Sequence, residues 1–506
     1  MSIHHGPFVE VRESFFIEGV WNGEFEKGEF GATDCVFGSG AILGDRSVLF
    51  VSSASTTDYL YYQRSDKRVV VSNSLPLLLS YIDESLDPHF TGYPPIHYSI
   101  TEGIEDYIRE IPTLKGCVTR LIYRNLEVSP ARVAEVEKDM PPRFHSFADY
   151  YSYVVENYRR IVDNARDPKR EILMQIFSTQ SKGYDSTAVN AIAAKFGIDK
   201  VFTVSKGKNS RYLATNDASK QVDDDGSAVC KAIGLDCIVI DRRSFAKEFD
   251  QEYLYYAGLH ANQDANLKDI NGYVSTASIL LTGTLGEIWY THSCILNGGF
   301  HTDSELKRGD LGCHGLAEIR LAVGFIQLPL PYIGARRRED ILRITESPEM
   351  EPWRLGTSYD RPIPRRIAEE AGIPRDLFGQ VKTGSVVLFP QPSVPYGKQL
   401  REEYFDFLVR EGLLGKQMLK LWPFVRFVNT VLSLRSEKRY PAVYYSERII
   451  AKLFRKDFRF KPLWRHLDGS LFCFCVNKFA HKYASCSREK NRITSHVMLN
   501  RHVGTL

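Results

Sequence analysis

The sequence predicts an α/β domain built on a parallel sheet, with an α+β domain of short strands before it and a basic, mainly helical extension after it. Three observations carry this reading. Between Ile172 and Asp241, apolar runs of strand length alternate with helical patterns, the signature of βαβ units. Up to about Pro141, β-branched and aromatic residues alternate between turn signals such as Asn22-Gly23. From Arg401 to Leu506 there are 21 Lys/Arg against 9 Asp/Glu, a net of +12 in a chain whose whole net charge is +3. The expected divisions are residues 1–145, 146–400 and 401–506.

In the first division, Ser47 to Leu79 reads V-L-F-V-S, a turn, Y-L-Y-Y, a charged turn, then R-V-V-V-S-N-S-L-P-L-L-L. Gly38-Ser39-Gly40 with Gly44-Asp45-Arg46 lacks the lysine that a Walker loop needs and reads as a hairpin. Cys35, the first cysteine, reads as a small core residue. In the second division, Ile172 to Phe177 is a buried strand. A helical pattern with Val189, Ile192, Ala193 and Phe196 on one face is closed by Gly197. Lys200 to Ser205 is a second strand, Ser227 to Ile233 a helix ended by Gly234, and Asp236 to Asp241 a third strand.

Between the first strand and its helix lies Ser181-Lys182-Gly183-Tyr184-Asp185-Ser186-Thr187. A strand, a hydroxyl-rich turn and a helix N-terminus together make an anion site, because backbone N–H groups converge where the helix dipole is positive. The bland alternative is an ordinary polar turn. A single Asp in such a turn suits ATP phosphates and the Mg²⁺ that rides on them. In open parallel sheets, ligands bind beyond the carboxyl ends of the strands, where this loop falls.

These residues resemble the SGGxDS pyrophosphatase loop of the asparagine synthetase family, with Lys182 replacing one glycine. Three further segments fit that family in order. Thr282-Gly283-Thr284-Leu285-Gly286-Glu287 stands where the family carries SGEGxDE; Thr284 replaces the substrate-facing Glu and Glu287 is the remaining carboxylate. His314-Gly315-Leu316-Ala317-Glu318-Ile319-Arg320 is similar to H-G-x-E-x-R, with one inserted residue. Ile373 to Gly384 is similar to L-P-x-x-I-x-x-R-x-K-x-G, which puts Lys382 on the family's catalytic lysine. Taken bare, Lys382 is one surface lysine among many, and Glu318 and Arg320, two apart on a helix, do not face each other.

The resemblance implies a fold and a site. The parallel-sheet domain would be adenine nucleotide α-hydrolase-like and the first domain Ntn-hydrolase-like. ATP would be held by Ser181 to Thr187, by Val204 and Ser205 after the second strand, and by Gly283 and Thr284. Asp185 and Glu287 would hold Mg²⁺, and Lys382 and Glu318 would be catalytic. Ser47 to Leu79 is similar to the second half of the family's glutaminase domain, whose active form begins Met-Cys. Here the chain begins Met1-Ser2-Ile3-His4-His5 and no R-G-P-D signature follows, so an inactive glutaminase is expected. What the resemblance then implies is an AMP-forming amide ligase. It would adenylate a carboxylate and join it to an amine already on a small-molecule or peptide substrate. The alternative is a non-catalytic relative serving as nucleotide-binding scaffold or partner.

Composition adds bounds. A chain of 506 residues holds two or three cored domains. The nine cysteines are scattered and lack metal-type spacing, which suits a reducing cytosol. No apolar run reaches the roughly 18–20 residues that span a bilayer, so a soluble cytoplasmic protein is expected. The basic, aromatic tail admits three readings: a helical extension with a solvated basic face, which is preferred; a nucleic-acid or membrane-surface contact; or a lid over an anionic substrate or carrier. Nucleic acid is not the expected partner.

Overall fold

The computed structural model describes residues 2–66, 68–209, 221–240, 251–258, 264–290, 306–308, 311–357, 359–381, 383–384, 394–433, 441–456, 458–461 and 463–490. Its described residues form a mixed α/β protein with antiparallel sheets, a five-stranded parallel sheet and a helical C-terminal region.

The N-terminal strands are β1 (Glu10–Val11), β2 (Phe15–Trp21), β3 (Val36–Leu43), β4 (Val48–Val51), β5 (Leu60–Arg64), β6 (Val69–Ser72), β7 (Glu110–Pro112), β8 (Cys117–Leu121), β9 (Asn125–Val128) and β10 (Val133–Val136). They form a six-stranded sheet, β1-β2-β3-β4-β9-β10, and a four-stranded sheet, β6-β5-β8-β7, every pair antiparallel. Leu60 and Leu121 from the smaller sheet meet Leu126, Phe50 and Val128 from the larger, so the two sheets share an apolar layer. The hairpin expected near Gly44 is the β3–β4 turn, closed by the Gly44 N–H on the Ser47 carbonyl. Gly38, Ser39 and Gly40, however, lie inside β3. A Cβ on Gly38 or Gly40 would strike the β2 backbone, so these glycines serve close strand approach and not a turn.

Two helices follow β6: α1 (Leu75–Ile82), capped by the Ser74 hydroxyl, and α2 (Tyr93–Tyr98). Helix α3 (Phe147–Ala165) opens with a Ser146/Asp149 capping box. Its Asn157 accepts a bond from Asn22 (2.6 Å), and its Asn164 donates to the Gly23 carbonyl (2.8 Å), which ties it to the loop after β2.

The parallel sheet is made of β11 (Gln175–Gln180), β12 (Lys200–Val204), β15 (Cys237–Ile240), β16 (Ser278–Thr282) and β17 (Phe325–Pro329), in the order β15-β12-β11-β16-β17. All four pairings are parallel. The chain builds outward from β11 to one side, then returns to add β16 and β17 on the other. The topological switch point therefore lies between β11 and β16. Between these strands run α4 (Tyr184–Ala193), α5 (Ser227–Ala232), α6 (Glu252–Tyr256) and, before β17, α7 (Leu316–Val323). Helix α4 ends at a short 3₁₀ turn and at Gly197, whose φ of 83° suits a residue without a side chain. A small sheet joins β13 (Lys206–Asn209), β14 (Gln221–Asp223) and β18 (Thr383–Gly384).

After β17 come α8 (Arg338–Glu346) and α9 (Pro362–Glu370), then α10 (Lys398–Arg410), α11 (Trp422–Ser433), α12 (Pro441–Phe454) and α13 (Ser470–Lys490). The tail is not a mere appendage. Helix α13 buries Phe472, Cys473, Cys475 and Val476, and its Asn477 bonds both ways with the Leu86 backbone (2.8 and 3.1 Å). Its Phe472 packs against Tyr93 and His97 of α2, so the last described helix closes over the first two. No described helix is long and apolar enough to cross a membrane.

Cys35, Cys117, Cys313, Cys473 and Cys475 are free, but Cys230 and Cys237 are joined as a disulfide. The turn at Gly234 (φ 73°) folds β15 back beside α5 and brings them together.

Candidate functional site

The loop after β11 lies at the carboxyl end of the sheet's central strand. Gln180 pairs in register with Thr203 of β12, so Val204 and Ser205 lie at the same carboxyl edge. Within the loop, Ser181 Oγ and Ser186 Oγ are 2.9 Å apart, Ser186 Oγ accepts from the Ser181 amide, and Ser181 Oγ accepts from the Gly183 amide. The Thr187 hydroxyl donates to the Gly183 carbonyl (2.7 Å). The Lys182 amide donates to Asp224 (3.1 Å), while its ammonium pairs with Asp223. Lys182 is thus drawn towards β14, and Asp223 is held below the usual carboxylate range chiefly by that bond.

Helix α4 has no side-chain cap. Its first-turn N–H groups, from Tyr184, Asp185 and Ser186, therefore face the loop without the usual Ser or Asp oxygen. That arrangement favours an anionic ligand.

Asp185 reaches across the switch point. A Cβ on Gly286 would lie 2.5 and 2.6 Å from its carboxylate oxygens, and one on Gly283 would lie 2.8 Å from its Cβ. The loop after β16 is therefore glycine where Asp185 packs against it. Leu285 between them takes φ 69°, a left-handed conformation that costs a non-glycine residue roughly 1–2 kcal/mol. Its buried side chain holds it there.

The second carboxylate oxygen of Asp185 faces Arg361 Nη1 at 3.5 Å; the first is buried with no hydrogen-bond partner among the described residues. Arg361 is itself buried, its guanidinium 3.0 Å from the centre of the Tyr290 ring and 4.9 Å from that of Tyr359. Burial works against the Arg361 charge, and Tyr290, Asp185, Tyr359 and Glu287 together more than offset it. Asp185 and Glu287, expected as metal ligands, thus both act on one arginine that the sequence reading did not single out. Arg361 stands just before Pro362 at the start of α9, an unremarkable helix entry in sequence.

The segment resembling the lysine motif also reaches this loop. The Gly379 N–H donates to the Lys182 carbonyl (2.8 Å), and Gly379 (φ 67°) lies against the Tyr184 ring, where a side chain would clash. The Tyr184 hydroxyl is bonded by Arg365, and its ring packs on Tyr359 and Phe378. Lys382 lies outside the described residues, so only its flanks are placed here. Thr284 turns away: its hydroxyl meets Thr282 (3.0 Å) and the Cys313 sulfur (3.1 Å).

The segment His314 to Arg320 is engaged elsewhere. His314 bonds Tyr59, and Arg308 donates to its other ring nitrogen (2.7 Å). Buried Glu318 accepts from the Ser74 hydroxyl (2.8 Å) and the Leu75 amide (3.1 Å), both at the start of α1. Burial pushes its pKa up to about 7 against these bonds. Arg320 pairs with Glu18 and Asp58, each at 2.6 Å, and burial raises both carboxyls while Arg320 opposes it. These side chains join α7 and the stretch before it to the N-terminal layers: to Glu18 of β2, to Asp58 and Tyr59 just before β5, and to the start of α1.

Ser2 is exposed, with its hydroxyl 3.3 Å from His4. Cys35 is buried beside Asp34 and Tyr153, and burial raises its thiol pKa well above the ordinary value, as suits a core residue.

The residues fit a magnesium–phosphate group. Mg²⁺ borne on phosphates needs one or two protein carboxylates, and the unpartnered oxygen of Asp185 is one. Among the described residues there is no cluster of three or more acidic, His or Cys ligands that would hold an ion without phosphates. A separate cleft of about 980 Å³ opens between α10 and α13, lined by Glu403, Arg410, Lys478 and His481 among others.

The described residues define an α/β protein in which a hydroxyl-rich turn and an uncapped helix N-terminus lie at the switch point of a parallel sheet. Compared with known proteins, the chain matches no family model and no curated sequence.

Proposed function

We propose that the chain is an ATP-dependent, AMP-forming amide ligase that adenylates a substrate carboxylate and joins it to a substrate amine without hydrolysing glutamine. The parallel sheet would then be an adenine nucleotide α-hydrolase-like domain and the antiparallel layers an Ntn-hydrolase-like one. One observation supports this above the rest: segments far apart in sequence, at residues 181–187, 283–287 and 379, meet at a single loop beyond β11.

On this reading the uncapped first turn of α4 and the Ser181 and Ser186 hydroxyls receive phosphate oxygens. Asp185 would hold Mg²⁺, which neutralises phosphate charge when bound. Arg361 fixes Asp185 and adds a buried positive charge beside the leaving pyrophosphate. The substrate carboxylate attacks the α-phosphorus and pyrophosphate departs. The amine then attacks the carbonyl carbon, AMP leaves with the bonding pair, and the amine sheds a proton. Lys382 remains the proposed electrophilic partner of the acyl-phosphate. The Glu318 carboxylate is committed to Ser74 and Leu75, so the base is left unassigned.

A second reading, a nucleotide-binding protein without turnover, is favoured by Arg361, which already supplies positive charge to Asp185 and Glu287. The test is exchange of labelled pyrophosphate into ATP, with amino acids and peptides as carboxylate donors. The ligase gives Mg²⁺-dependent exchange that falls about a hundredfold or more in Asp185→Ala. Undiminished exchange in that variant overturns the site. ATP binding without exchange, equal with and without Mg²⁺, establishes the second reading.

A further inference from the structure

Helices α11 and α12 carry large apolar side chains in open solvent. On α11, Phe424 is 61% and Phe427 67% exposed, three residues apart and on the same face as exposed Leu421 just before the helix. On α12, Tyr445, Ile449 and Leu453 recur every four residues; Ile449 is 59% and Leu453 73% exposed. Side chains of this size are seldom left bare together on a soluble surface.

The two helices are joined through the segment after α12. The Asn429 side chain of α11 bonds both the carbonyl and the amide of Leu463 (3.0 and 2.7 Å), and buried Glu447 of α12 accepts from the Phe460 amide (2.8 Å). Trp422 packs on Trp464, with ring centres 5.7 Å apart. The apolar faces therefore belong to one bonded unit.

Charge identifies what covers it. From Pro441 to Arg465 the sequence has seven Lys/Arg against two acidic residues, a net of +5. Arg448, Lys452, Arg455, Lys456 and Arg459 are exposed, whereas Glu447 is buried. A second copy of the chain seated on this patch would set like charges against each other. Nucleic acid engages aromatic rings by stacking; here exposed Phe424, Phe427, Tyr445 and Phe454 are interleaved with exposed Leu421, Ile449 and Leu453, which stacking would leave without a partner. Apolar side chains flanked by Lys and Arg match the acyl boundary and headgroups of an anionic bilayer.

We propose that α11, α12 and the segment to Arg465 form a docking surface for anionic membranes, on which the protein lies without spanning the bilayer. This rests on the patch alone and stands independently of any ligase activity.

The test uses the full chain and vesicles of phosphatidylcholine, alone or mixed with phosphatidylglycerol, read by co-sedimentation. Binding to the anionic vesicles, weak on the neutral ones and lowered by salt, is expected. Each basic residue near an anionic surface strengthens binding about fivefold, so Lys452→Glu/Arg455→Glu/Lys456→Glu should weaken it about a hundredfold or more. Phe424→Asp/Phe427→Asp should abolish it, with the circular dichroism spectrum unchanged. The proposal is overturned by failure of the wild type to bind anionic vesicles, by equal binding in both variants, or by a dimer that Phe424→Asp/Phe427→Asp dissolves.

Discussion

Replacing Glu318 with glutamine should remove a specific pH dependence from the protein's stability. Glu318 is buried, and its folded pKa of about 7 exceeds the value near 4.3 of an unfolded glutamate. The folded state therefore binds the proton more tightly. The stabilisation is complete below the unfolded pKa and is lost as pH rises through the folded one. Between pH 5 and pH 8 this amounts to about 2.5 kcal/mol for the wild type, at 1.36 kcal/mol per pKa unit. The glutamine side chain has no proton to lose. The wild type should thus weaken relative to Glu318→Gln by about that amount across the interval, whatever the other carboxyls do, since they titrate in both proteins. Equilibrium urea unfolding followed by tryptophan fluorescence at pH 5, 6, 7 and 8 gives the difference directly. A constant difference at all four values would show that the carboxylate at the start of α1 is no proton trap, and would refute the reasoning.

Two further outcomes are expected from the same geometry. Gly286→Ala places a methyl group 2.5–2.6 Å from the Asp185 oxygens. It should cost about 1–3 kcal/mol of stability and weaken Mg-ATP binding about tenfold by calorimetric titration; unchanged affinity would separate Asp185 from the nucleotide. Arg320→Met strands Glu18 and Asp58 in the interior and should destabilise by about 3–5 kcal/mol in chemical denaturation. Adding Glu18→Gln and Asp58→Asn should restore most of it, and a loss below about 1 kcal/mol in the single variant would contradict a buried charge triad.

The parallel sheet was legible because its signals are local. The apolar runs at Ile172, Lys200 and Asp236, with glycines at 197 and 234, give strands and helices that the structure places within a few residues. The β3 glycines were misread as a turn because close strand approach and chain reversal call for the same residue. The loop at Ser181 and the glycines at 283 and 286 were legible as a pair of motifs. Arg361 was not, since its partners Asp185 and Tyr290 lie 176 and 71 positions away. The same distance hid the partners of Glu318 and Arg320. Residues two apart on a helix looked like a weak site, and their significance lies in Ser74, Glu18 and Asp58, some 240 to 300 positions earlier. The tail's basic character was legible, but not that α13 folds back to the start of the chain.

That return of α13 has a bearing on biosynthesis. Until the ribosome has translated the codons for α13, the apolar flank of α1 and α2 stays bare, because Phe472 and Asn477 have yet to emerge. That flank is completed by a helix encoded far downstream in the message. A nonsense mutation upstream of Ser470 would accordingly strip a packing partner from the earliest-made part of the polypeptide.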